Sequence, residues 1–135
     1  MSTSLTSTRM LTELDHVRLS NLLRRLQAPA DAIAELLDNA ELVPTPQVAP
    51  DVVTMNSRVL VADPRTGATR ELTLCYPADA DPVAGRLSVL SPAGASLLGC
   101  RVGARAEWQG ADGEAMAAEL RALLYQPEAS GDLLR

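Results

Sequence analysis

Between positions 12 and 43 the apolar residues recur at helical spacing. Leu19, Leu22, Leu23 and Leu26 fall at i, i+3, i+4 and i+7, and Ile33, Leu36, Leu37 and Ala40 repeat the pattern. Thr12 is placed to cap the first helix, with Asp15 three residues on as its capping-box partner. Gln27-Ala28-Pro29 interrupts the pattern, and Pro29 suits the first turn of a second helix. Two stripes joined by so short a break predict an antiparallel helical hairpin with the stripes facing each other, each helix about 20 Å long. The leucines read as core.

Pro44, Pro46 and Pro50 then exclude helix and predict a stiff connector over 44–51 that divides two domains. From Val52 the period changes. Val52 to Val61 is rich in β-branched residues, Asp63 to Gly67 is a turn, and Thr69 to Tyr76 alternates as the paired strand of a hairpin. Pro77 to Gly85 reads as an acidic loop and Leu87 to Leu90 as a short strand. Ser91 as N-cap and Pro92 at the first position open a brief helix that Gly99 ends. Val102 to Gln109 is a strand, and Gly110 to Gly113 a turn. For Ala118 to Tyr125 the signals conflict. Ala, Glu, Leu and Arg favour helix, while Leu120, Ala122 and Leu124 alternate as a strand would, with a blemish at Leu123.

Composition narrows the function. The net charge is −5, and all twelve basic residues are arginine, scattered singly apart from Arg24-Arg25. A phosphate-reading protein needs a basic stripe and a single-strand binder needs stacking platforms. No such stripe is visible, and the only aromatics are Tyr76, Trp108 and Tyr125. DNA or RNA is therefore expected to be met only indirectly, through a protein partner. No run approaches the roughly 18 to 20 apolar residues of a membrane span. The polar Met1 to Met10 segment lacks the apolar core of a secretory signal, so the expected location is the cytoplasm.

Candidate chemistry is sparse. His16 is the sole histidine and has no carboxylate or cysteine pattern around it. Cys75 and Cys100 have neither metal-ligand nor redox-motif spacing and read as reduced, buried hydrophobes. There is no phosphate-binding glycine loop and no nucleophile turn. Glu35, Asp38 and Glu41 recur every three residues, which suits the solvated face of a helix. No cofactor and no metal are expected.

Several blocks resemble a known family. Val52-Val53-Thr54-Met55-Asn56-Ser57-Arg58-Val59 is similar to the first strand of the Rnk proteins, regulators of nucleoside diphosphate kinase, as is Leu74-Cys75-Tyr76-Pro77-Ala78 with its acidic loop. The run from Leu87 to Gly99, followed by Arg101-Val102-Gly103, resembles the block that Rnk shares with the C-terminal domain of GreA and GreB. Tyr125-Gln126-Pro127-Glu128-Ala129 resembles the Rnk ending. With the leading hairpin, the resemblance spans about 11 to 132.

The resemblance implies an α+β protein: a short N-terminal antiparallel helical hairpin plus an FKBP-like antiparallel sheet with one short helix. The expected organisation is a disordered N-terminus at 1–11, the hairpin at 12–43, the Pro-rich linker at 44–51, the Gre-like domain at 52–130 and a tail at 131–135. An FKBP-like sheet requires a closing strand at 118–125, which resolves the conflict there in favour of β. The implied function is transcription regulation by a non-enzyme. It would bind RNA polymerase at the β′ coiled coil on the secondary-channel rim, through Ser91, Pro92, Ala93 and Gly94, and compete with Gre factors. A hairpin of about 20 Å is too short to carry out transcript cleavage from the rim. The protein would act as a monomer, with an indirect effect on nucleoside diphosphate kinase level. The alternatives are a degenerate prolyl isomerase or cleavage factor, and a binding module for another protein.

Overall fold

The computed structural model describes residues 9–26, 31–110 and 112–131. In chain order these form β1 (Met10–Thr12), α1 (Glu13–Leu26), α2 (Asp31–Asn39), β2 (Glu41–Val43), β3 (Arg58–Ala62), β4 (Thr69–Cys75), β5 (Arg86–Ser88), α3 (Pro92–Leu97), β6 (Arg105–Gln109), β7 (Ala115–Tyr125) and α4 (Pro127–Ser130). The expected role of Pro29 lies outside the described residues.

The helices form as the leucine spacing requires. Thr12 Oγ1 accepts the Asp15 N–H at 3.0 Å and so caps α1. Leu19, Leu22, Ile33 and Leu36 are buried, whereas Leu26 at the far end of α1 is exposed. His16 Nε2 lies 3.1 Å from the Leu37 carbonyl oxygen, which brings the first turn of α1 beside the end of α2.

Three departures from expectation concern the N-terminal half. Residues 9–11 are not disordered: Met10 to Thr12 pair in parallel with Glu41 to Val43, and Leu11 is fully buried. Nor is 44–51 a spacer between separate bodies. Thr45 to Gln47 form a 3-10 turn, Thr45 Oγ1 accepts the Leu14 N–H, and Val48 is buried. Helices and sheet then share one hydrophobic core, in which Leu19 and Ile33 join Val59, Leu74, Val89, Leu98 and Leu120. The physical reason is size: neither half alone offers enough apolar surface to close a core of its own.

The main sheet has five strands in the order β5-β4-β3-β7-β6. β3 pairs antiparallel with β4 and β7, and β7 with β6. β5, however, joins β4 in parallel, so the sheet is mixed rather than wholly antiparallel. The acidic segment between them makes this possible. Its two 3-10 turns, Pro77–Asp79 and Pro82–Ala84, carry the chain back along the edge. The strand anticipated from Val52 is shorter, because Val52 to Ser57 forms a bridge to Arg101 and a turn before β3 begins.

β7 is a single strand of eleven residues, against its helix-favouring composition. Burying large side chains is worth about 1.5 to 3 kcal/mol each, while helix preference among such residues amounts to tenths of a kcal/mol. The Leu123 blemish has a structural cause. Val61 faces Leu120 and Leu60 faces Ala122, which leaves Arg121 as an extra residue, and a second shift leaves out Leu124. These bulges reverse the alternation, so Leu123 packs on the core and Leu124 is exposed.

Candidate docking site

The four candidate residues sit at the start of α3, between β5 and the core. Ser91 is its N-cap: Ser91 Oγ accepts the Gly94 N–H at 3.1 Å and donates to the Ser88 carbonyl at 2.6 Å. Pro92 occupies the first helical position and is exposed. Ala93 is half-buried. Arg9 fixes the other end of the helix, where its guanidinium donates to the carbonyls of Ala95, Ser96 and Leu98 at 2.8, 3.1 and 3.2 Å.

Gly94 differs from the other three. It is buried, and a Cβ there would collide with the Ser88 carbonyl oxygen. Its missing side chain is therefore needed for the approach of α3 to β5 within the protein. That internal contact by itself accounts for a glycine at this position.

Beside Ala93 opens an apolar slot of about 310 Å³ between α3 and the sheet. Val61, Leu72 and Leu87 line it together with Leu97 and Trp108. Trp108 is half-buried, on β6. These residues come from five different elements, so no local pattern could have marked them as a group.

A second polar constellation ties α1 to the sheet. Asp15 is buried, and its Oδ2 accepts the Met55 N–H at 3.0 Å. Thr54 Oγ1 donates to Glu128 Oε1 at 2.7 Å and lies 2.8 Å from Ser57 Oγ. Burial pushes the Asp15 carboxyl up to about 6; the Met55 hydrogen bond opposes this and the nearby Glu128 charge adds to it. Burial likewise pushes the Cys75 and Cys100 thiols up, which disfavours the reactive thiolate. His16, Glu35, Asp38 and Glu41 join no group of metal-ligating side chains among the described residues. No helix there is long and apolar enough to cross a membrane.

Residues 47–122 match the family described as transcription elongation factor, GreA/GreB, C-terminal. The chain belongs to the GreA/GreB C-terminal family. The similarity to Rnk extends along most of its length: it is 45% identical over 105 residues to the regulator of nucleoside diphosphate kinase of Escherichia coli, covering 78% of this chain and 77% of that protein. It is 33% identical over 81 residues to transcription elongation factor GreA of Clostridium acetobutylicum, covering 60% of this chain and 51% of that one. Among solved structures, a GreA/GreB factor from Nitrosomonas europaea superposes with a TM-score of 0.73 at 34% identity, over 87% of this chain and 100% of that one. The GreA factor homolog 1 protein of Thermus thermophilus shares the fold at a TM-score of 0.50 and 21% identity, over 87% and 99% of the two chains. These relatives of the GreA/GreB family are named as regulators and transcription factors rather than enzymes.

Proposed function

We propose that this protein is a transcription regulator of the Rnk type. It binds RNA polymerase at the coiled coil of the β′ subunit on the secondary-channel rim and competes there with Gre factors without cleaving transcripts. The observation that carries this reading is the match of residues 47–122 to the Gre C-terminal domain. Within that domain the α3 start is a fitting contact surface: Pro92 is exposed at its apex, Ser91 holds the turn, and Ala93 borders the apolar slot. An apolar side chain from the polymerase helices can enter the slot while Pro92 meets the helix backbone.

Reach supports the non-cleaving part of the proposal. α1 has fourteen residues and so spans about 21 Å. Asp38 and Glu41 lie towards the end of α2 and at the start of β2, near the first turn of α1 and away from the helices' far ends. The protein works as a cytoplasmic monomer, meets nucleic acid only through polymerase, and affects nucleoside diphosphate kinase through transcription.

Pull-down of core polymerase by the purified protein tests the proposal, with a Gre factor as positive control. Capture at about micromolar concentration, lost in Pro92→Glu and in Ala93→Glu while both variants stay folded, is the expected result. Absence of capture by the unaltered protein rejects polymerase as the partner, and retained capture by both variants rejects this surface.

A further inference from the structure

The sequence scatters its arginines, but the fold places five of the twelve along two adjoining clefts. Two adjoining clefts of about 830 Å³ each, between α1 and the edge of the sheet, share Arg18 and Tyr76 as lining residues. Arg24 and Arg25 line the first cleft; Arg58, Arg86 and the one carboxylate, Asp79, line the second. The cleft surface is thus strongly positive in a chain whose net charge is −5. Arg58 and Arg86 are exposed and form no ion pair among the described residues.

The rest of the lining suits a ligand with a polar tail and a flat body. Tyr125 stands in the second cleft and Tyr76 faces both. Asn56, in the same lining, is the one non-glycine residue with positive φ among the described residues, at 67°. The turn that holds it there closes through the Ser57 N–H to the Thr54 carbonyl at 3.1 Å. Burial pushes the Tyr76 hydroxyl up, the Asp15 and Glu128 charges add to this, and Arg18 opposes it.

We infer that this cleft binds a small polyphosphate anion, either free or as the phosphate tail of a nucleotide. Guanidinium groups arriving from α1, β3 and β5 converge on one volume. Several closely spaced phosphate oxygens match the planar forks of Arg58 and Arg86, each capable of a bidentate, charge-assisted pair, while Arg18 adds its charge. A nucleic-acid polymer fits less well, because it requires a positive track continuing past the site, and Asp79 interrupts the lining. An acidic peptide spaces its carboxylates further apart than a polyphosphate spaces its oxygens. Binding here needs no polymerase.

Titration calorimetry on the full chain, at low and at physiological salt, tests the site with tripolyphosphate, adenosine triphosphate and a short polyglutamate peptide. Saturable binding of the phosphates is expected, weakened about tenfold or more in Arg58→Gln/Arg86→Gln. Arg105→Gln/Arg121→Gln, which removes two arginines already paired with Glu107 and Glu119, should leave it unchanged. Thermal melts of both double variants establish that they are folded. Tighter binding of the nucleotide, with the advantage lost in Tyr125→Leu, identifies the nucleotide as the source; equal affinities identify free polyphosphate. No binding at about millimolar concentration, equal loss in the control variant, or polyglutamate binding as tightly as tripolyphosphate overturns the site.

Discussion

Asp15, on the first turn of α1, accepts the backbone N–H of Met55 in the turn that leads into β3, at 3.0 Å in a buried setting. This bond joins the helical segment to the sheet, and it does so with a group whose charge is costly to bury. The Asp15 carboxyl rises from 3.8 to about 6, so the folded state holds the proton more tightly than the unfolded chain. Between about pH 4 and 6 the native state therefore binds more protons than the unfolded one, and stability from this group falls as pH rises through that window. The contribution reaches about 3 kcal/mol at most.

Urea unfolding across about pH 4.5 to 7.5 should accordingly show Asp15→Asn with a flatter pH profile than the parent and equal or higher stability at the upper end, since the amide oxygen still accepts from Met55. Asp15→Ala should lose about 1 to 3 kcal/mol at low pH by leaving the Met55 N–H unpaired. Parallel pH profiles for the parent and Asp15→Asn would exclude Asp15 as the group responsible.

Gly94 and Pro92 should separate cleanly in a stability assay. Gly94→Ala puts a Cβ against the Ser88 carbonyl and is expected to cost about 1 to 3 kcal/mol. Pro92→Glu, exposed at a position where an acidic side chain suits the helix N-terminus, should stay within about 1 kcal/mol of the parent. Denaturant midpoints measure both. They also show why a binding loss at Gly94 could not be assigned to docking.

Gln126 holds the segment before β3 from below. Its Nε2 donates to the carbonyls of Ala49 and Val52, each at 2.8 Å, and the residue is 3% exposed. Gln126→Ala should lower stability by about 1 to 3 kcal/mol, since the Val52 carbonyl loses its donor while that of Ala49 keeps the Val52 N–H at 3.2 Å. Gln126→Glu should be worse, because an ionised carboxylate has no proton to give them. A urea midpoint unmoved by either change would show that the lost bonds are replaced.

Arg9 precedes every regular element, yet it donates to three carbonyls at the end of α3. Arg9→Ala should cost about 1.5 to 3 kcal/mol. Arg9→Lys should recover only part, because all three bonds come from Nη1 and the lysine stem ends one bond short of that nitrogen. Amide hydrogen exchange at Leu97 to Cys100 should accelerate in Arg9→Ala before it does elsewhere.

Elements whose cause is local were readable from the residues in order. The leucine spacing of α1 and α2, the Ser91-Pro92 start of α3 and the turn after β3 all follow from periodicity or from residue chemistry within a few positions. The family was also legible, because its blocks are contiguous in the chain and extend over most of its length. Tertiary structure alone decided whatever joins distant residues. It turned the helix-favouring residues of β7 into a strand and reversed their alternation at two bulges. It set β5 parallel to β4, gave Met10 to Thr12 a partner 31 residues away, and drew the prolines at 44–51 into the same packed body. Both candidate sites have this origin. The slot beside Ala93 and the arginine cleft are each assembled from separate elements. Local propensities carry only tenths of a kcal/mol per residue, and core burial carries several times that per side chain. Where the two conflict the core prevails, and what it brings together at the surface is not written in the spacing of any one segment.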